Sequence, residues 1–234
     1  NPHIKEKMDL DIDVARLKLL KANHLSQKYA LEDQIVKFLP QQMRSYEERM
    51  TGLKKDMAQL SEQTHPGEDG FSPMELQGTL YTDKKEAGTA LLAACKAMTS
   101  PDAVPLGQYR GFAMGLSFDS FSREFKVTLK GALRHPVSLG TDIFGNIQRL
   151  DNALAALPEQ LTACGEQLEN AKTQLATAKI EVDKPFPRED ELKTKTTRLD
   201  ELNILLNMDK RENEIGDTEP DEDAPAKSTK EMER

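Results

Sequence analysis

Cations recur at alternate positions in one short segment: Lys126 and Lys130 flank Thr128, and Arg134 follows shortly after. Phe125, Val127 and Leu129 interleave with them. Side chains alternate between faces along a strand, so burying the apolar set turns Lys126, Thr128 and Lys130 outward. Arg134, on the neighbouring strand, falls on the same side, and Gly111, Ala113, Gly115 and Ser117 share that outer face. Small residues beside cations make a flat surface that a phosphate backbone can approach closely. Arg110 and the Lys84-Lys85 pair are weaker additions to the same candidate nucleic-acid contact. The outer face of any half-buried sheet is also polar, and Glu124 dilutes the charge, so a plain solvated face is the competing reading.

Other residues with chemical potential lack the company they need. Gly140-Thr-Asp-Ile-Phe-Gly145 has the two glycines of a phosphate loop but continues Asn146-Ile147, where lysine and Ser or Thr would be required. It reads as a turn into a helix. His3, His24, His65 and His135 have no partner Cys or His at ligand spacing, which predicts no metal site. Cys95 and Cys164 both fall on apolar helix faces and read as buried thiols of a reducing compartment, the cytoplasm. Abundant Glu and Asp sit beside Lys on heptad flanks, where solvated pairs are expected. The sequence therefore predicts no catalytic residue, no metal and no cofactor within this chain.

The elements that must position these groups are mostly long helices. Ile147, Leu150, Leu154, Leu157, Leu161, Cys164, Leu168, Ala171, Leu175, Ala178 and Val182 follow one another at spacings of three and four, the seam of a long packed helix. Met43, Tyr46, Met50, Leu53, Met57 and Leu60 repeat the alternation upstream and are the candidate cover. Upstream again, Ile4, Met8, Ile12, Ala15, Leu19, Ala22 and Tyr29 form a stripe that predicts the buried face of the first helix. Between about 71 and 140 the pattern changes to short alternating strands around a helix carrying Ala87, Leu91, Cys95 and Met98, capped by Thr82 or Asp83. Residues 100–107, with two prolines, read as a loop.

The resulting expectation is an α+β chain: a long antiparallel helical hairpin, paired within one chain as a coiled coil, that carries a small inserted head. The head is an antiparallel sheet of four or five strands packed on one helix. Residues 1–64 form the first arm with a kink near Pro40, 65–140 the head and 141–183 the returning arm, weakened at Pro158 and Gly165. Residues 184–210 supply a terminal helix on the first arm, and 211–234 an acidic, disordered tail. Hydrophobic residues at 37% against 31% charged, with no Trp, fit this much solvated helix. A net charge of −8 argues against a nonspecific DNA coat while leaving room for a local basic face. No run of 18 apolar residues predicts membrane insertion. The start at Asn1-Pro2, without Met, suggests a piece of something larger.

Several stretches resemble the C-terminal region of the large Swi/Snf-like helicase and adenine-specific DNA methylase proteins of bacterial conjugative elements and phages. They are Asn1-Pro-His-Ile-Lys-Glu-Lys-Met-Asp-Leu-Asp11 with Val14-Ala-Arg-Leu-Lys18, Tyr81-Thr-Asp-Lys-Lys-Glu-Ala-Gly88, Gly111-Phe112 with Ser117-Phe-Asp119, Gly145-Asn-Ile-Gln-Arg-Leu-Asp-Asn-Ala-Leu154, and Lys184-Pro-Phe186 with Leu199-Asp-Glu-Leu-Asn203. The blocks span nearly all of the chain except the acidic tail. The resemblance implies helicase and methylase domains upstream as partners, with DNA as a candidate ligand. The signatures of those domains are absent here: no Gly-Lys-Thr phosphate loop and no Asn-Pro-Pro-Tyr tetrapeptide. No catalytic residue carries over, and the chain is expected to be a noncatalytic accessory module or, alternatively, a protein-interaction scaffold without nucleic-acid contact.

Overall fold

The computed structural model describes residues 2–216. The chain is α+β and mainly helical, with a long N-terminal helix of 62 residues and one six-stranded antiparallel sheet. It divides into two units, residues 33–180 and residues 1–32 with 181–234. The acidic tail expected at 211–234 lies, from 217 onward, outside the described residues.

In the larger unit a π-helical stretch, Gln34–Phe38, leads into α2, Leu39–Gln63 (α1, Pro2–Asp33, precedes it). Proline lacks an N–H and crowds the carbonyl four residues back. Here the α pattern gives way just before Pro40: the Leu39 N–H bonds to Gln34 O, and Pro40 then occupies the first turn of α2. Two short strands follow, β1 (Met74–Leu76) and β2 (Thr79–Tyr81), joined by Gln77 and Gly78 with φ of 49° and 82°. Two positive φ values make the tight hairpin turn that matches strand twist. Asp83 accepts the Glu86 N–H at 2.9 Å and starts α3, Lys84–Lys96. The remaining strands are β3 (Val104–Tyr109), β4 (Phe112–Asp119), β5 (Glu124–Lys130) and β6 (Arg134–Ser138). Asp142 caps α4 (Ile143–Ala155) through the Gly145 N–H at 2.7 Å, and α5 (Leu157–Val182) follows.

The strand order is β2-β1-β3-β4-β5-β6. One of these strands corrects the sequence reading, since β3 includes part of the stretch taken for a proline loop. Pro105 is tolerated because β1 pairs with β3 only from Gly107 onward, so at Pro105 the strand is locally an edge that asks for no N–H on that side. A register shift between Pro105 and Gly107 adds the bulge that realigns the pairing with β4.

Phe112, Met114, Leu116, Val127 and Leu129 turn to one side of the sheet and are at most 2% exposed. That side is covered by more than the single helix expected: Leu53 of α2, Ala87 and Leu91 of α3, and Ile147, Leu150 and Leu154 of α4 share its core. Every seam residue from Ile147 to Val182 is buried or half-buried. The seam is nevertheless interrupted at Ala156, one residue before α5 begins, and Pro158 sits in the first turn of α5 where its missing N–H costs nothing. Cys164 Sγ lies 3.4 Å from Tyr46 O, and both cysteines are buried and free.

The smaller unit is built from α1 and α6 (Glu189–Gly216), which continues beyond the end near Met208 expected from its leucines. Val14 and Leu17 pack with Leu192 and Leu199. Ion pairs run antiparallel along the contact: Lys21 to Glu189 at 2.7 Å, Lys195 to Asp13, and Arg198 in a fork on Glu6 at 2.8 and 3.2 Å. The Arg198 bonds hold the Glu6 carboxyl below the usual range. His24 takes the turn between α5 and α6 against α1, with Nε2 3.2 Å from Lys184 O and its ring 5.7 Å from that of Phe186. The stripe expected to be buried on α1 is on the wrong side. Met8, Ile12 and Leu19 are 61%, 67% and 63% exposed, because α6 covers Val14 and Leu17 instead.

Leu154 is wholly buried where α2, α4 and the sheet meet, whereas Ile180 is exposed near the end of α5. Leu154→Ala should lower the unfolding free energy by about 2–5 kcal/mol, the usual loss for a core leucine, and Ile180→Ala by less than about 0.5 kcal/mol. Urea melts of the two variants beside the parent measure both.

Candidate functional site

The outward face of the sheet is the surface on which the predicted cations gather, and register places each of them. Lys126 stands opposite Ser117 and Ser138, Thr128 opposite Gly115 and Pro136, and Lys130 opposite Ala113 and Arg134. Lys126, Lys130 and Arg134 therefore share one face with Ala113, Gly115 and Ser117, while Val127 and Leu129 point into the core.

Their surroundings differ. Lys126 Nζ donates to Asp119 Oδ2 at 2.6 Å. The same carboxylate accepts the Phe121 and Ser122 N–H groups at 2.9 and 3.2 Å, which closes the β4–β5 loop. The Lys126 bond, ahead of these two backbone bonds, brings the Asp119 carboxyl down to about 2. Lys130 extends over the next strand: a Cβ built on Gly115 would stand 3.1 Å from its Nζ. A glycine there leaves the lysine room to lie flat on the sheet. Among the described residues neither Lys130 nor Arg134 has a carboxylate partner. By register Asp119 and Glu124 face the same way at the other end of the strands, so the cationic character is concentrated at the Lys130–Arg134 end.

Arg110 is not part of that face. It occupies the β3–β4 turn with φ 49°, followed by Gly111 at 86°. Its guanidinium donates to Asp151 Oδ1 at 3.1 Å and to Thr64 Oγ1 at 3.1 Å, tying the turn to α4 and to the end of α2. Tyr109 donates to the same Asp151 oxygen at 2.6 Å. Burial first, and then the carboxylate beside it, push the Tyr109 hydroxyl well above its ordinary range. Gln59 donates to Gly111 O, and a side chain at Gly111 would collide with Gln63, its Cβ only 2.6 Å away. Arg110 is thus a bolt between helix and turn. Lys84 and Lys85 lie at the start of α3, whose Leu91 belongs to the core on the opposite side of the sheet, so they do not join the other cations.

The remaining polar groups of the head also work on its structure. Asp56 is wholly buried and accepts the Ala132 N–H at 2.6 Å and the Leu133 N–H at 3.1 Å, with His135 Nε2 2.7 Å from its second oxygen. Asn146, wholly buried, bonds both the N–H and the C=O of Gly140 at 2.7 and 2.9 Å. This is the turn once compared with a phosphate loop, and its polar atoms are occupied by its own side chain. Among the described residues no group of three His, Cys, Asp or Glu is arranged to hold a metal ion, and no helix is long and apolar enough to cross a membrane.

One exposed residue escaped the sequence reading. Phe121, at the tip of the β4–β5 loop, is fully exposed. Its signal was legible as Asp119-Ser-Phe-Ser-Arg123 between two alternating runs, an aspartate that closes a turn around an aromatic tip. Beside it, Met98, Ser100, Pro101, Phe118 and Phe125 line an open apolar concavity of about 420 Å³.

The chain matches no family model, no curated protein and no solved structure.

The Lys126–Asp119 bond can be tested by titration. Lys126→Met should move the Asp119 carboxyl up from about 2 toward its ordinary 3.8. Because the carboxyl is depressed in the folded protein, the stability it supplies is complete above its unfolded value and is lost as pH falls toward about 2. Carboxyl-carbon NMR across this window reads the shift, and an unchanged Asp119 titration would show that Lys126 does not hold it.

Proposed function

We propose that this chain is a noncatalytic accessory module that holds DNA, or a neighbouring domain of a mobile-element helicase and methylase, against the outward face of its sheet. The observation that carries this reading is the cross-strand pair Lys130 and Arg134, two cations on a flat face of small residues with no carboxylate bound to them among the described residues. Phosphate contact rewards such cations, and nothing must be broken before they make it. In this reading Lys126 contributes less because Asp119 already occupies it. Asp56, His135, Asn146, Asp151 and Arg110 are engaged in holding turns, which suits a binding surface better than a reaction centre. The module needs no cofactor of its own, the helicase and methylase context rests on the resemblance described above, and a cytoplasmic location rests on the reading of Cys95 and Cys164 as thiols of a reducing compartment.

We further propose that α2 and α5 act as the stiff support of the head, paired antiparallel in the manner of a coiled-coil hairpin. Cys164 beside Tyr46 O, Gly165 where an added Cβ would stand 3.6 Å from Met50 Cε, and Pro158 lining one cleft with Met57 and Leu60 support that direction of pairing.

A second reading, a protein-interaction scaffold without nucleic-acid contact, is favoured by Phe121 and the apolar concavity beside it. The two separate in one experiment. Labelled duplex and single-stranded DNA are titrated across a salt series with the parent, Lys130→Ala/Arg134→Ala, and Lys126→Ala. The DNA reading expects weak binding that falls steeply with salt, and a log–log salt slope smaller by about 1 for each phosphate-binding cation removed. Lys126→Ala should change the slope less. Equal binding by parent and Lys130→Ala/Arg134→Ala, or none by either, would overturn the DNA reading and leave the scaffold.

A further inference from the structure

The smaller unit carries a long apolar stripe that no described residue covers. α6 covers the Val14 and Leu17 side of α1, and the opposite side presents Met8, Ile12, Ala15, Leu19 and Ala22, spaced four, three, four and three residues apart. That is the alternation by which one helix seam meets another. Ile4 and Leu25, at the two borders of the stripe, are 50% and 45% exposed. Among the described residues, then, one apolar side of the helix is covered by α6 and the other is open.

The charges beside the stripe specify what fits it. Asp9 and Asp11 flank its first half, and Arg16 and Lys18 its second. A helix with acidic flanks followed by basic ones is complementary to its own reverse. When a second α1 is laid antiparallel, Met8 faces Leu19 of the second copy and Ile12 faces its Ala15, so each large residue meets a smaller or flexible one. The same register sets Asp11 against Lys18 and Asp9 against Arg16, each twice by symmetry, and brings Ile4 onto Leu25 of the other copy. Six flanking positions on each helix are thereby satisfied by one alignment. A parallel pairing does less, because it matches only Asp11 with Arg16 and puts Ile4 beside Asp9. Asp11 already has an exposed intrachain bond from Lys7 at 2.9 Å, which a solvated pair gives up readily.

We infer that this stripe is a self-association surface, through which two copies of the chain pair by antiparallel contact of their α1 helices. A symmetric two-fold interface of this kind is self-complementary by construction, as the flank charges are. The inference does not depend on the reading of the sheet face, since it involves a different unit and a different ligand.

The test uses the full chain in sedimentation velocity over a concentration series. The parent should dimerise. Ile12→Asp/Leu19→Asp should be monomeric at concentrations where the parent is dimeric, with unchanged circular dichroism because both side chains are exposed. Charge exchange decides direction. Asp11→Lys alone and Lys18→Asp alone should each weaken the dimer by at least about tenfold at low salt, and an equimolar mixture of the two should restore it. In a parallel pairing Lys18 has no charged opposite, so Lys18→Asp would be silent and mixing would rescue nothing. A parent that stays monomeric throughout, a dimer indifferent to Ile12→Asp/Leu19→Asp, or a dimer that the mixture fails to restore would each overturn the proposal. If the stripe serves a segment of a larger parent chain instead, the parent here is monomeric.

Discussion

A single buried carboxylate joins the long helix to the sheet. Asp56, in the second half of α2, reaches the turn between β5 and β6 and takes both of its free N–H groups, Ala132 and Leu133, together with the ring of His135. The carboxylate itself is wholly buried, and a buried polar group left without partners costs about 1–3 kcal/mol or more, so the helix and the turn stabilise each other. The contact leaves no slack. A Cβ at Gly131 would stand 2.2 Å from Asp56 Oδ1, and one at Gly52 2.6 Å from Leu133 Cγ, so glycine on both sides lets the backbones approach. Because β5 and β6 are positioned this way, so are Lys130 and Arg134 at the end of the same hairpin.

The neighbouring turn at the same end of the sheet repeats the device with different residues. Asp151 of α4 accepts from Tyr109 and Arg110 at the β3–β4 turn, while Thr64 and Gln59 of α2 hold the same turn from the other side. Asn146 fastens Gly140, where the sheet hands the chain to α4. Three turns are each held by a polar side chain from a helix. Such bonds are specific in direction as hydrophobic packing is not, and they fix the angle at which helices meet the sheet. This explains why the polar groups most suggestive of chemistry in the sequence, His135 and the 140–145 turn among them, are found bonded within the fold.

Local signals were legible to the degree that their cause is local. Thr82 and Asp83 announce the start of α3, where Asp83 is the cap, because capping needs only the following turn, and the alternation of Phe125, Val127 and Leu129 shows which side of β5 is buried. Pro158 announces its break for the same reason. The failures lie where a distant partner decides. On α1 two stripes were available, and α6, nearly two hundred residues away, chose Val14 and Leu17 over the more regular Met8, Ile12 and Leu19. Pro105 argued against a strand until the short length of β1 made that position an edge. Arg110 counted as a free cation because nothing near it in sequence foretold Asp151. Lys126 likewise counted as free, although Asp119 stands only seven residues away across a hairpin whose loop length had to be known first.

The most direct test of this account is amide hydrogen exchange in Asp56→Asn. The asparagine preserves size and one acceptor oxygen but places an NH₂ where the second oxygen took the Leu133 N–H and faced His135. If Asp56 unites helix and sheet, protection should fall together at Ala132, Leu133, the β6 amides and the second half of α2, while the contact of α1 with α6 keeps its protection. Exchange in α2 and β6 indistinguishable from the parent would contradict it, and would mean that apolar packing alone sets the place of the head on its helix.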